Sequence, residues 1–199
     1  GWASLRRHGV RTCVDLRSEW EVDQRPYRSP SEAISIIGAP WEEGLLDDPV
    51  FAAWAETGVL SCALYFRPFL ERWPDRPVAV IATLADAVRS GGDGGVLYHC
   101  QRGRERTGLL TILLLALAEV PSAVIVEDHL RTDGRLLSRG IALGHVSLDG
   151  EADLYAERAT TAEATVSALL DAFDVEHYLL AAGVTDTDLA TIRAHLVTS

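Results

Sequence analysis

No apolar run in these 199 residues is long enough to span a bilayer. The longest, Leu109 to Ala118, lies inside a helical pattern and reads as a buried helix. No signal peptide opens the chain. It begins at Gly1 without a methionine, already within a helical pattern, so natural residues are expected to precede it. Positive charge is scarce. The 18 Lys and Arg stand against 29 Asp and Glu, for a net charge of −11 and a pI near 4.9. That balance excludes a general attraction to nucleic acid or anionic membranes. Cysteine is scarcer still, with Cys13, Cys62 and Cys100 alone. An odd number at irregular spacing excludes a disulfide framework and a zinc signature, and it fits a reducing, cytoplasmic compartment. Repeats and low-complexity tracts are absent.

What remains is ordinary globular composition, 48% hydrophobic and 24% charged, in a length that suits one domain over 1–199. Residues 2–8 read as a short helix stopped by Gly9. Val10 to Leu16 is rich in β-branched residues and reads as a strand, as does Ala33 to Ile37, which Gly38 and Pro40 end. Asp47 to Trp73 reads as helix in two pieces, broken near Gly58. Ala79 to Val88 is a further helix with Val80, Ile81, Leu84 and Val88 on one face. After a glycine-rich loop at 91–95, Val96 to Tyr98 reads as a short buried strand. Thr107 to Glu119 is apolar nearly all round and therefore central. Pro121 starts a helix through about Arg131, and 133–158 reads as irregular. The part from 160 to 199 reads as three closing helices: Thr160 to Phe173, Val175 to Ala182 and Thr185 to Leu196. The last has a cap at Thr185 and core positions Leu189, Ile192 and Leu196. Strands separated by helices predict an α/β fold, a central and mainly parallel sheet flanked by helices with extra helices at the C-terminus. Cys13 and Cys62 lie in strand and helix patterns and read as small buried apolar residues.

Cys100 has different company. The chain reads Tyr98-His99-Cys100-Gln101-Arg102-Gly103-Arg104-Glu105-Arg106-Thr107-Gly108. A cysteine ends a strand, five residues follow, and an arginine opens a buried helix. Such a loop can curl its N–H groups inward as a nest for a tetrahedral oxyanion, with Gly103 giving the turn its freedom. The helix start adds unpaired N–H groups and a positive dipole end, which favour a thiolate. Arg106 can hold two phosphate oxygens. Thr107 can donate to the sulfur, and His99 can hold the loop. The pattern points to Cys100 as a nucleophile.

The stretch 99–108 resembles the signature loop of the protein tyrosine phosphatase superfamily, in its bacterial tyrosine and dual-specificity type. Two other stretches are similar to that family: Val14 to Ser18 with Glu21, and Tyr178-Leu179 with Gly183 to Asp186. The resemblance implies a cysteine phosphatase fold, a phosphocysteine intermediate, and no metal or cofactor. It assigns catalysis to Cys100, Arg106 and Glu105. Substrate contact falls to Gln101, Arg102, Gly103, Arg104, Thr107 and Gly108. Two positions depart from the usual pattern: Arg104 stands for a lysine linked to phosphoinositide substrates, and Glu105 for an aspartate that acts as general acid. The acid is therefore Glu105, or a carboxylate on the loop after the second strand: Glu42, Glu43, Asp47 or Asp48. Asp15 and Arg17 fall near the loop, where Arg17 braces it, meets substrate, or forms an ordinary ion pair. The aromatics of 47–73 form either a lid, as in some relatives, or plain core. Phosphorylated protein or phosphoinositide is the implied partner. A phospho-partner binding protein on the same scaffold and a rhodanese-like sulfurtransferase are the competing readings.

Overall fold

The computed structural model describes residues 1–27, 34–92, 94–143 and 151–198, without the side chains of 133, 136–143 and 198. The N-terminal part holds the expected α1 (Trp2–Arg7), β1 (Val10–Asp15) and β2 (Ser35–Gly38), with a short helix that the sequence reading does not include, α2 (Glu19–Gln24), between the two strands. Then come α3 (Pro49–Glu56), α4 (Phe66–Arg72), α5 (Asp75–Gly91) and β3 (Gly95–His99). The rest is helical: α6 (Glu105–Leu117), α7 (Ser122–Leu143), α8 (Glu151–Glu157), α9 (Ala162–Ala172), α10 (Val175–Ala182) and α11 (Asp186–Thr198).

Among the described residues the sheet has three strands in the order β2-β1-β3, both pairs parallel. Parallel pairing puts every carboxyl end on one edge: Asp15 lies opposite Gly38 on one side and His99 on the other. The ladder continues past the strands. Leu16 donates to the His99 carbonyl at 2.8 Å, Ala39 to Asp15 at 2.8 Å and Trp41 to Leu16 at 3.2 Å. The loops after all three strands are thereby stitched together, at the edge where ligands bind in such sheets.

The core lies behind that edge. Helix α6 buries Leu109, Leu110, Ile112, Leu113 and Leu117, as its all-round apolar pattern requires. Trp41 is fully enclosed; within 47–73, Phe51, Tyr65, Phe66 and Phe69 are buried and Trp54 and Trp73 pack partly buried against the same core. Cys13 and Cys62 are buried free thiols.

Four expectations need correction. The stretch 133–158 is not irregular throughout: α7 runs on to Leu143 and α8 occupies Glu151–Glu157, while 144–150 lie outside the described residues. Gly134 and Gly140 lower the intrinsic helix propensity there, and it forms nonetheless. Strand β3 is only half-buried along its length, because it lies at the edge of the described sheet. Leu196 is 37% exposed rather than core, although Leu189 and Ile192 are buried. The second strand begins at Ser35 and runs to Gly38; Ala33 lies outside the described residues.

Candidate active site

Three loops at one sheet edge build the site. After β1, Ser18 and Glu21 form a capping box: the Glu21 carboxylate accepts from Ser18 N–H at 3.0 Å and from Ser18 Oγ at 2.9 Å. This fixes the start of α2 and aims Glu21 inward. Its two oxygens take both terminal nitrogens of Arg106, with Nη2 donating to Oε1 at 2.7 Å. Burial pushes the Glu21 carboxyl up, but the bonds from Arg106 and Ser18 outweigh it and bring it down to about 2. The Arg106 guanidinium is held above its ordinary range by the same pairing, against the opposing effect of burial.

After β3, Cys100 begins the loop and is 4% exposed. The Gly103 N–H donates to Cys100 Sγ at 3.3 Å, and Gly103 has φ of +72°, a left-handed conformation that glycine adopts freely. The loop therefore curls back on the sulfur. Thr107 does not supply the expected bond, since its buried Oγ1 has no hydrogen-bond partner among the described residues.

His99 braces the loop from below. Its Nδ1 lies 2.9 Å from the Cys100 carbonyl, which only accepts, so Nδ1 carries the proton. Nε2 then accepts from the Tyr27 hydroxyl at 2.6 Å. Beneath it, Asp15 takes three bonds from the Arg17 guanidinium at 2.7–3.1 Å. Burial pushes Asp15 up, yet Arg17 keeps it below the usual carboxylate range. Arg17 also donates to the Arg25 carbonyl and lies 4.9 Å over the Tyr27 ring. Its side chain is buried in these contacts and is not among the residues that line the cavity.

The front of the loop opens on a cavity of about 640 Å³, within the usual range for small-molecule sites. Gln101, Arg102, Glu105 and Arg106 of the loop line it. Glu42 and Glu43, from the loop after β2, line its wall. Asp47 and Asp48 do not line it, and Asp48 instead caps α3 by accepting from Val50 N–H at 2.8 Å. Glu42 Oε2 lies 3.5 Å from Arg106 Nε. Burial pushes Glu42 up to about 7 despite the pull of Arg106, and burial also raises Glu105. The fully buried Tyr65 hydroxyl acts on the Glu42 carboxyl but makes no well-formed hydrogen bond among the described residues.

The remaining loop residues turn elsewhere. Gly103, Thr107 and Gly108 line a smaller cavity of about 120 Å³ on the α7 side. A Cβ on Gly108 would sit 3.2 Å from His129 Nδ1, so this glycine lets α6 and α7 approach closely. Arg104 is the largest departure from expectation. Its guanidinium is buried, grips both carboxylate oxygens of Glu151 on α8 and donates to the Ser61 carbonyl at 2.6 Å. Its side chain is therefore not offered to the cavity.

Sequence reasoning missed Glu21 as the partner of Arg106, although Ser-x-x-Glu after a strand is a visible capping signal. Glu151 and Tyr27 carried no such signal.

A model of the tyrosine phosphatase family matches residues 1–198. A tyrosine-protein phosphatase of Nostoc commune is 54% identical over 37 residues, 19% of this chain and 13% of its own length. The triple specificity protein phosphatase PtpB of Mycobacterium tuberculosis is 28% identical over 155 residues, covering 67% of this chain and 56% of its own. A protein of Cupriavidus necator named for tyrosine-protein phosphatase activity is 28% identical over 205 residues, 96% of this chain and 71% of its own. The chain thus spans about half the length of the mycobacterial relative. Among the described residues no helix is long and apolar enough to cross a membrane.

Proposed function

The chain belongs to the tyrosine phosphatase family, and from that premise we propose that it hydrolyses phosphate monoesters on proteins through a phosphocysteine intermediate at Cys100. One observation carries this reading. The loop curls so that the Gly103 N–H points at the sulfur from 3.3 Å, with Arg106 in the first turn of the buried helix that follows.

The Cys100 thiolate attacks phosphorus in line, forming the S–P bond as the ester P–O bond breaks. Loop N–H groups and Arg106 stabilise the equatorial oxygens as charge shifts onto them. Glu105, which lines the cavity and is raised by burial, gives its proton to the leaving oxygen. It then takes a proton from the water that releases phosphate and frees the thiolate. Glu42 is the rival acid, favoured by its place on the cavity wall beside Arg106 and its rise to about 7. Phosphoinositide head groups lose the support that Arg104 lent them, since that cation is paired with Glu151.

The test is turnover of a phosphotyrosyl peptide and of p-nitrophenyl phosphate by the wild type and Cys100→Ser. The reading expects turnover in the wild type, none in the variant, and retained phosphate binding by the variant. Binding without turnover in the wild type would make the protein a phospho-partner binder. With phenyl phosphate, whose leaving group needs a proton, the larger loss among Glu105→Gln and Glu42→Gln identifies the acid.

A further inference from the structure

We propose that Glu42 is a proton-linked gate on the phosphoryl site: its carboxylate competes with the incoming phosphoryl dianion for Arg106, and binding of that dianion draws a proton from solvent onto Glu42. The identity of the anion rests on the phosphatase reading above.

Arg106 has five N–H donors in a planar fork. Glu21 takes one from each terminal nitrogen, and Ser18 fixes Glu21 through its N–H and Oγ. That end of the guanidinium is occupied. The side edge remains, formed by Nε and the outer hydrogens of the terminal nitrogens. Glu42 Oε2 lies 3.5 Å from that Nε. Arg106 also interacts electrostatically with the Cys100 sulfur. A phosphoryl group brought to the sulfur therefore meets the edge that Glu42 faces. The Arg106 and Glu42 side chains are only 11% and 17% exposed, so two anions at this edge repel with little solvent to screen them.

The charges around the cavity make the conflict acute. Its lining carries Arg102 and Arg106 against Glu21, Glu42, Glu43 and Glu105. With every carboxyl ionised, a dianion would enter a site that is already negative. Glu21 cannot give up its charge, because the bonds from Arg106 and Ser18 hold it at about 2. Glu43 has one oxygen on the Glu19 N–H at 2.8 Å. Glu105 lies 3.5 Å from Arg104 Nη1. Glu42 faces Arg106 and, as like charges, Glu21 on α2 and Glu105 on α6, with the Tyr65 hydroxyl behind it. Burial lifts it to about 7, so a proton is within reach at neutral pH. Glu42 thus combines contact with the open edge of Arg106 and ready protonation. Once protonated it has an O–H to donate, and a bond from it to a phosphate oxygen is charge-assisted. The side chain that repels the dianion when ionised holds it when neutral.

The probe is sulfate, a tetrahedral dianion whose charge is constant from pH 6 to pH 8. Calorimetry follows its binding to Cys100→Ser, which removes the thiol, and to the same protein carrying Glu42→Gln or Glu105→Gln. In Cys100→Ser the sulfate Kd should rise about tenfold from pH 6 to pH 8, as the protonated fraction of a group at about 7 falls. Binding at pH 7, compared in two buffers of different ionisation enthalpy, should show uptake of about half a proton. With Glu42→Gln the Kd should stay within about twofold across that range, near the pH 6 value of Cys100→Ser, and the uptake should vanish. With Glu105→Gln both should persist. A flat Kd without proton uptake in Cys100→Ser overturns the gate. So does a pH dependence that survives Glu42→Gln or disappears with Glu105→Gln, and so does a lack of sulfate binding at pH 6. If Glu42→Gln does not fold, uptake that persists with Glu105→Gln supports the gate, and uptake lost there overturns it. Turnover of p-nitrophenyl phosphate by the wild type is read separately: a gated sulfate site without turnover keeps the gate and removes the phosphatase reading.

Discussion

Glu21 holds Arg106 by both terminal nitrogens of the guanidinium, through side chains that are each nearly enclosed. Eighty-five residues separate the two, and the pair joins the loop after β1 to the loop after β3. Removing one member of a buried pair leaves the other charge uncompensated. Glu21→Gln should therefore cost about 3 kcal/mol of stability by urea unfolding at pH 7, and kcat should fall with it.

That pair also sets an acid limit. Glu21 sits at about 2 in the folded chain against an ordinary glutamate value of about 4.3. A depressed carboxyl stabilises the folded state above its unfolded value, and the contribution is lost as pH falls from there toward 2. The stability gap between wild type and Glu21→Gln should be full at pH 6 and shrink between about pH 4 and pH 2. Urea midpoints along that series measure it.

Glu42 works in the opposite sense. Its folded value of about 7 lies above the unfolded one, so the folded chain binds the extra proton. Stability from this group is present below about pH 4 and is lost as pH rises toward 7. Glu42→Gln, which cannot ionise, should lack the part of the stability decline that the wild type shows between about pH 4 and pH 7. Parallel declines in the two proteins would refute the assignment.

Glu105 is tested by leaving group. Losing a general acid typically costs 10²–10⁴-fold. Glu105→Gln should lose about that much kcat on phenyl phosphate and far less on p-nitrophenyl phosphate, whose leaving group departs without a proton. Equal losses on both substrates would remove Glu105 from proton transfer.

Arg104 and Glu151 form a second buried pair. Glu151→Gln should destabilise the protein by about 3 kcal/mol and weaken inhibition by inorganic phosphate, since the loop loses an anchor. Intact phosphate inhibition would mean that the loop keeps its shape without α8.

The loop was legible in the sequence because its chemistry is local: a strand end, a glycine turn and a helix start lie within ten residues. The parallel sheet was legible for the same reason, in β-branched runs divided by helical periods. The pairings that hold the loop were not. Glu151 lies 47 residues from Arg104, in a stretch whose glycines mask its helical period. Tyr27 lies 72 residues before His99. Arg104 reads as a substrate contact because charge can be read from sequence while direction cannot; only packing reveals that its guanidinium points into the protein.

Helix α8 touches the loop region at two points: Glu151 holds Arg104, and the Tyr155 hydroxyl accepts from the Ala63 N–H at 3.0 Å. The ten-residue signature is thus not a portable module. Grafted onto a foreign scaffold without an acidic counterpart for its fifth side chain after the cysteine's histidine, it would carry an arginine with nowhere to go. An engineer transplanting this chemistry would have to move the distant clasp along with the motif.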